Sequence, residues 1–196
     1  MTGKPFSQAC ENNKQPILDG LLALTGTPGE LLEIGSGTGQ HAAFLPAHLP
    51  HLTWQPSDLP DNLPGIGQWL ADSPSLNVRR PIVLDVNGRW PDQHYHYLFT
   101  ANTFHIMDRA SVERCITCGA DHLQSGGLFI VYGPMKRQGR YTSDSNAAFD
   151  EWLQERDPRS GIRDLEWIHE LMQARGLSPV AEQDMPANNL LLSWRK

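Results

Sequence analysis

Three glycines at alternate positions, Gly35, Gly37 and Gly39, follow an aliphatic run and an acid, Glu33, in the stretch LLEIGSGTGQH over residues 31–41. Glycine permits positive φ and lets backbone approach a ligand closely, so a strand turning sharply into a helix here could hold a nucleotide-like molecule. A triphosphate is a poor match, because no Gly-Lys-Ser/Thr follows to meet its phosphates. A dinucleotide calls for G-x-G-x-x-G, whereas the spacing here is G-x-G-x-G. Glu33 speaks further against it, since a pyrophosphate would meet a carboxylate just ahead of the first glycine.

A phosphate-free, positively charged ligand tolerates that acid, and S-adenosylmethionine carries both a sulfonium and an ammonium. Asp58, about twenty residues beyond the loop at the end of a second strand, can take both ribose hydroxyls of such a molecule, or equally those of NAD. Asp85, in the run IVLDV, offers a carboxylate to an adenine amine, and the next backbone N–H, of Val86, can meet a ring nitrogen. A fourth strand runs into Thr100-Ala101-Asn102-Thr103-Phe104-His105, at the carboxyl end where ligands of open α/β sheets bind. Methyl transfer from a sulfonium depends on in-line positioning, and a base helps only when the acceptor is an alcohol, phenol or protonated amine. His105, with Asn102 beside it, is the candidate for that role. Each residue also has a plain structural use: the glycines as a turn, Asp58 as a helix cap, Asp85 as a turn cap and His105 as a buried, satisfied histidine.

The elements that must position these groups follow from periodicity. Pro16 with Ile17, Leu18, Leu21 and Leu22 reads as an N-terminal helix with proline in its first turn. Strands are expected at residues 31–34, 52–57, 82–86, 97–100 and 128–133. Helices are expected at 40–49, with an interruption at Pro46, around Ile66, Trp69 and Leu70, and through Val112, Ile116, Gly119 and Leu123. Strands that are apolar throughout and alternate with helices imply a parallel sheet covered on both faces. After a helix over residues 164–175, closed by Gly176, PVAEQDM and LLLSWRK are separated only by Pro-Ala-Asn-Asn. That is too short for a parallel crossover, so an antiparallel hairpin is expected. The fold class is therefore α/β: a doubly wound, Rossmann-like seven-stranded sheet, mostly parallel with a C-terminal antiparallel β-hairpin. The dinucleotide Rossmann sheet closes instead with a parallel strand.

With these residues in place, the chain resembles the class I S-adenosylmethionine-dependent methyltransferases, and more narrowly the methyltransferase-like 26 family, long carried as a domain of unknown function. The resemblance spans nearly the whole chain. It rests on EIGSGTGQHA, WQPSD, NTFHI and the run YGPMKRQGRYTSDSNAAFDEWLQERDPRSGIRD. Where that family has an arginine-asparagine-arginine cluster ahead of the N-terminal helix, this chain has Asn12-Asn13-Lys14. The resemblance implies S-adenosylmethionine as cofactor and a small-molecule acceptor, bound in line with the methyl group.

Composition narrows the class. The 196 residues are expected to form one domain, with a lid-like insertion at about 136–163. Within it Phe149, Trp152 and Leu153 suggest a short amphipathic helix, and Tyr141, Asn146 and Arg163 are candidate lid or substrate residues. A net charge of −6 disfavours a nucleic-acid groove binder, and no apolar run reaches membrane-spanning length. An N-terminus without a signal peptide's apolar core and three cysteines at no disulfide spacing fit a reducing cytoplasm. Cys115 and Cys118, with His122 following, lie in an amphipathic helix pattern without a second Cys-x-x-Cys, so no metal site is expected. Two other readings stay open: a non-catalytic binder of S-adenosylmethionine or S-adenosylhomocysteine, and an NAD-binding oxidoreductase. The sequence leaves the oligomeric state open.

Overall fold

The computed structural model describes residues 3–73 and 75–196. Five parallel strands, β1 (Gly29–Ile34), β2 (Leu52–Asp58), β3 (Ile82–Val83), β4 (Tyr95–Ala101) and β5 (Leu123–Gly133), alternate with helices α1 (Gln8–Leu24), α2 (Gln40–His48), α3 (Leu63–Ala71) and α4 (Arg109–His122). After β5 come a small ribbon of β6 (Met135–Lys136) and β7 (Arg163–Asp164), with α5 (Asp144–Arg156) between its strands. Then follow α6 (Leu165–Ala174) and the pair β8 (Ser178–Met185) and β9 (Asn189–Arg195). The main sheet has the order β3-β2-β1-β4-β5-β9-β8, and β9 runs antiparallel to both β5 and β8. The expected seven-stranded sheet and closing hairpin are both found.

The central strands β1, β4 and β5 are largely apolar because helices cover both faces, whereas the edge strand β8 is mostly exposed. Leu31, Trp54, Phe99 and Ile130 pack with Ile17, Leu18 and Leu21 of α1 and Leu45 of α2. Their chain neighbours Leu32, Leu98, Phe129 and Val131 pack on the other side with Val112 and Ile116 of α4 and Ile168 and Met172 of α6. Burial of each such side chain contributes about 1.5–3 kcal/mol, and the two layers together fix the carboxyl edge of the sheet.

Several boundaries differ from expectation. Helix α1 begins at Gln8, with Ser7 Oγ accepting from the Cys10 N–H, so Pro16 sits in the helix interior rather than its first turn. Its missing N–H deprives the carbonyl of Asn12, a residue on the exposed face where water can substitute. Helix α2 continues two residues beyond Pro46 and stops at His48, with Leu49 N–H bonding back to Pro46 O at 3.1 Å. The third strand is Ile82–Val83, not 82–86, because it lies at the sheet edge and pairs only with Ser57 and Asp58. Leu123 opens β5 rather than closing α4, and an irregularity between Tyr95 and Tyr97 of β4 absorbs the extra residues around Gly126, whose φ is +80°. The helix at the other end behaves as expected: Asp164 caps α6 and Gly176, at φ +77°, terminates it.

Candidate functional site

The three glycines of the turn are glycine for three different reasons. Gly35, Gly37 and Gly39 have φ of +73°, +58° and +93°, values that disfavour a side chain. A Cβ on Gly35 would also lie 2.6 Å from Thr103 Cγ2, so the segment after β4 packs directly on the turn. A Cβ on Gly39 would lie 2.7 Å from Ile66 Cα, where the backbone of α3 crosses. A Cβ on Gly37 would meet nothing within 4 Å. Gly37 thus faces open space, and a 280 Å³ cavity lies beside it, lined in part by Thr38, Asp61, Asn62, Gly65 and Gln68.

Glu33 lies just before the turn and is buried. Leu31 pairs with Trp54 across β1 and β2, so Glu33, two residues on, is a diagonal neighbour on the same face, and the Trp54 indole N–H donates to its Oε2 at 2.8 Å. Burial pushes its pKa up to about 7, with the charge of Asp58 adding to the rise and the bonds from Trp54 and Ser36 opposing it. Asp58 ends β2 as expected. Its Oδ1 accepts from Leu59 N–H at 2.7 Å and Asn62 Nδ2 at 2.8 Å; these bonds hold the turn after β2 but cap no helix, because Leu59 and Asn62 occupy the cap positions. Its Oδ2 accepts from Gly37 N–H at 2.6 Å and retains a second acceptor position. One ribose hydroxyl can be taken there directly; a second requires displacement of a turn bond.

Asp85 does not end a strand. It stands exposed two residues beyond β3, where its Oδ1 accepts from Asn87 N–H at 2.9 Å in a turn, while the Val86 side chain is buried in the core. The two are still held near Asp58 by the bond from Leu84 N–H to Asp58 O, 2.9 Å. Asn102 takes a left-handed conformation, φ +59°, and its N–H donates to Tyr132 O at 2.9 Å. A Cβ on Gly133 would lie 3.8 Å from His105 Nδ1 and 4.0 Å from Asn102 Oδ1, so both side chains converge on the carboxyl end of β5. His105 is buried, edge-on to Phe149 with ring centroids 5.2 Å apart. Burial first, and then repulsion from Arg163, lower its pKa to about 4 against the pull of Asp150, so at neutral pH it is an uncharged imidazole.

The insertion is built around a carboxylate that sequence reading missed. Asp150, fully buried, accepts from Lys136 Nζ at 2.8 Å, Tyr141 Oη at 2.7 Å, Gln154 Nε2 at 3.0 Å and Ile162 N–H at 2.5 Å. Burial alone would raise its pKa, but the bonds from Lys136, Tyr141 and Ile162 outweigh this and hold it low. Tyr141 is therefore tied down although its ring is exposed. Asn146 donates to Thr142 Oγ1 at 2.9 Å and Asn188 O at 3.1 Å, joining α5 to the hairpin. Arg163 donates from Nε to Phe104 O at 3.0 Å and from Nη2 to Arg159 O at 2.9 Å and to Met107 O. Its guanidinium thus grips the backbone on either side of His105. The expected apolar face of Phe149, Trp152 and Leu153 is not the one α5 buries: Asn146, Asp150 and Leu153 are buried, whereas Trp152 is exposed and stacks on the half-buried Phe149.

The N-terminal segment is a second feature without a sequence signal. Gln40, the first residue of α2, receives the Ser7 N–H at 2.6 Å and donates to Glu11 Oε1 at 2.6 Å, strapping α1 onto the glycine turn. Pro5 O accepts from Trp69 Nε1 at 2.7 Å, and Gly3 and Pro5 complete the wall of the cavity beside Gly37. The Asn12-Asn13-Lys14 stretch lies within α1, not ahead of it, and Asn13 Oδ1 shares a 2.7 Å hydrogen bond with His41 Nε2. Cys115 and Cys118 pack as core residues of α4. Among the described residues no helix is long and apolar enough to cross a membrane.

This strand order, with the glycine turn at the carboxyl end of β1, is the class I methyltransferase fold, and solved structures agree. An O-methyltransferase family protein from Burkholderia thailandensis superposes with a TM-score of 0.82 at 17% identity, over 96% of this chain and 57% of that one. Human N-acetylserotonin methyltransferase in complex with S-adenosylmethionine gives 0.80 at 16% identity, over 96% and 53%. An O-methyltransferase family 2 protein from Planctomyces limnophilus in complex with apigenin gives 0.75 at 14% identity, over 94% and 62%. The chain spans little more than half the length of these proteins. It belongs to the family described as "Protein of unknown function (DUF938)", whose model matches residues 4–196.

Proposed function

We propose that this protein is an S-adenosylmethionine-dependent methyltransferase acting on a small molecule, of the kind the methyltransferase-like 26 resemblance implies, with residues 136–163 as a lid over one catalytic domain. The observation that carries the reading is Gly37: a left-handed backbone whose missing side chain leaves open space beside a carboxylate, Asp58, with a free acceptor position. The residues fit the cofactor. Gly37 admits its amino-acid portion while Gly35 and Gly39 shape the turn, and Glu33, poised near neutrality, can ionise opposite an ammonium. Asp58 takes a ribose hydroxyl, and Asp85 with the Val86 N–H flanks the adenine. When bound, S-adenosylmethionine supplies an activated methyl group. Asn102 and His105 line the approach to it, and His105, uncharged, accepts a hydrogen bond and so orients an acceptor hydroxyl or amine. Tyr141, Asn146 and Arg163 act from the lid by positioning it.

One observation favours a second reading, a non-catalytic binder of the cofactor. His105 is a weak base at a pKa of about 4, and Asp150 engages both Lys136 and Tyr141. Incubating the protein with methyl-labelled S-adenosylmethionine and fractionated metabolite pools separates the two. Label appearing in a small molecule, together with S-adenosylhomocysteine, is the expected result. Tight cofactor binding with no transfer across the pools would establish the binder.

A further inference from the structure

Beside the segment that holds His105, tied to it by the bond from Gly161 N–H to His105 O at 2.9 Å, lies a larger cavity, 480 Å³, within the range of small-molecule sites. Its walls carry four cations, Arg109, Lys136, Arg159 and Arg163, and two carboxylates, Asp108 and Asp164. In a chain of net charge −6 this is a local reversal of sign. The wall carboxylates are turned to backbone amides. Asp108 Oδ1 accepts from Ser111 N–H at 2.7 Å, and Asp164 Oδ2 from Gly139 N–H at 2.5 Å. Lys136 and Arg159 are paired with Asp150 and Asp157, which are not among the lining residues.

That leaves two guanidinium groups without a counterion. Neither Arg109 nor Arg163 has a carboxylate within 4.0 Å among the described residues. Arg109 lies 4.0 Å over the ring of Trp167, with its charge otherwise open. Arg163 is only 8% exposed, and its Nη1 donates to no acceptor among the described residues. Burial first, and then the charge of Arg109, lower its pKa, so the two like charges repel; Asp150 and Asp108 oppose the fall, but neither reaches ion-pair distance. A buried cation held only by backbone carbonyls is costly unless a charge of opposite sign completes it.

We infer that this cavity is an oxyanion-binding site, in which Arg109 and Arg163 together hold the phosphate or carboxylate group of a small molecule. Guanidinium forks match both groups, and Arg163 connects the site to the backbone beside His105, so its occupant also braces the wall of the candidate active site. The inference does not rest on methyl transfer, because binding is read without S-adenosylmethionine.

The test is titration calorimetry of the full chain with inorganic phosphate and, separately, malonate, at an ionic strength held constant with chloride. Saturable binding of at least one is expected, and the tighter of the two assigns phosphate or carboxylate as the preferred group. Arg109→Gln, at an exposed position that should fold normally, is expected to weaken binding about tenfold or more, the effect of losing one charge-assisted contact. Arg175→Gln, which breaks only the exposed pair with Asp121, should leave it unchanged. No saturable heat from either anion, or equal binding by Arg109→Gln and the parent protein, would overturn the proposal.

Discussion

At the scale of single residues, three glycines that look alike in sequence do different work, and only one is free of its neighbours. Gly35 is held by Thr103 and Gly39 by Ile66, so side chains there disturb packing, whereas Gly37 has empty space where its side chain would be. Gly37→Asn is the informative change, because asparagine tolerates the left-handed conformation. The protein should stay folded with its melting temperature nearly unmoved, while affinity for S-adenosylhomocysteine falls by more than about tenfold, or 1.4 kcal/mol. Calorimetry and thermal unfolding on the same sample check both parts; unchanged affinity would remove Gly37 from the site. The glycine spacing was legible because the positive φ of the turn demands that residue type, and Glu33 and Asp58 because they stand at the ends of apolar strands. The environments were not. That Glu33 meets Trp54, or that Asp58 already bonds the Gly37 amide, depends on strand register and a turn set by residues far apart in sequence.

At the scale of elements, the alternation of strands and helices was readable because the central strands are buried on two faces and the helices on one. The edges were less so. Apolar IVLDV looks like a full strand, yet an edge strand with a single neighbour pairs only as far as β2 extends, and Pro81 just before it cannot donate to a ladder. The segment over residues 136–163 stood out by its length, but the group at its centre did not. Asp150 looks like any exposed helix carboxylate until Lys136, fourteen positions earlier, folds back upon it; such a pairing leaves no local periodicity. Asp150→Asn should therefore act on one element. Loss of the charge leaves Lys136 without its partner, and breaking a buried pair costs about 3–5 kcal/mol. Amide exchange across residues 136–163 should speed up markedly while the strands of the main sheet retain their protection, as measured by mass spectrometry. Uniform acceleration over the whole chain would show that the insertion is not a separable unit.

At the scale of the whole molecule, three buried titratable groups give the fold a characteristic response to pH. His41 and His105 have native pKa values of about 4, below the 6.5 of an exposed histidine. Their contribution is present above pH 6.5 and is lost as pH falls through about 4, because the unfolded chain binds their protons first. Glu33, raised from 4.5 to about 7, acts oppositely: its contribution is present below pH 4.5 and lost as pH rises through about 7. Between these limits two histidines outweigh one acid, so stability should climb by about 1.4 kcal/mol per pH unit from pH 4.5 to 6.5 and then level or dip. Urea unfolding across that range checks it, and His105→Asn should flatten the climb; a flat profile for the parent protein would mean that these groups are hydrated. On the proposed reading, the carboxyl edge of the sheet holds S-adenosylmethionine and not a phosphate-bearing nucleotide. Titration calorimetry of the unmodified protein with S-adenosylmethionine, S-adenosylhomocysteine, NAD and ATP tests it most directly. The first two should bind at least about tenfold more tightly than the others; NAD or ATP binding as tightly as S-adenosylmethionine, or more so, would contradict the account.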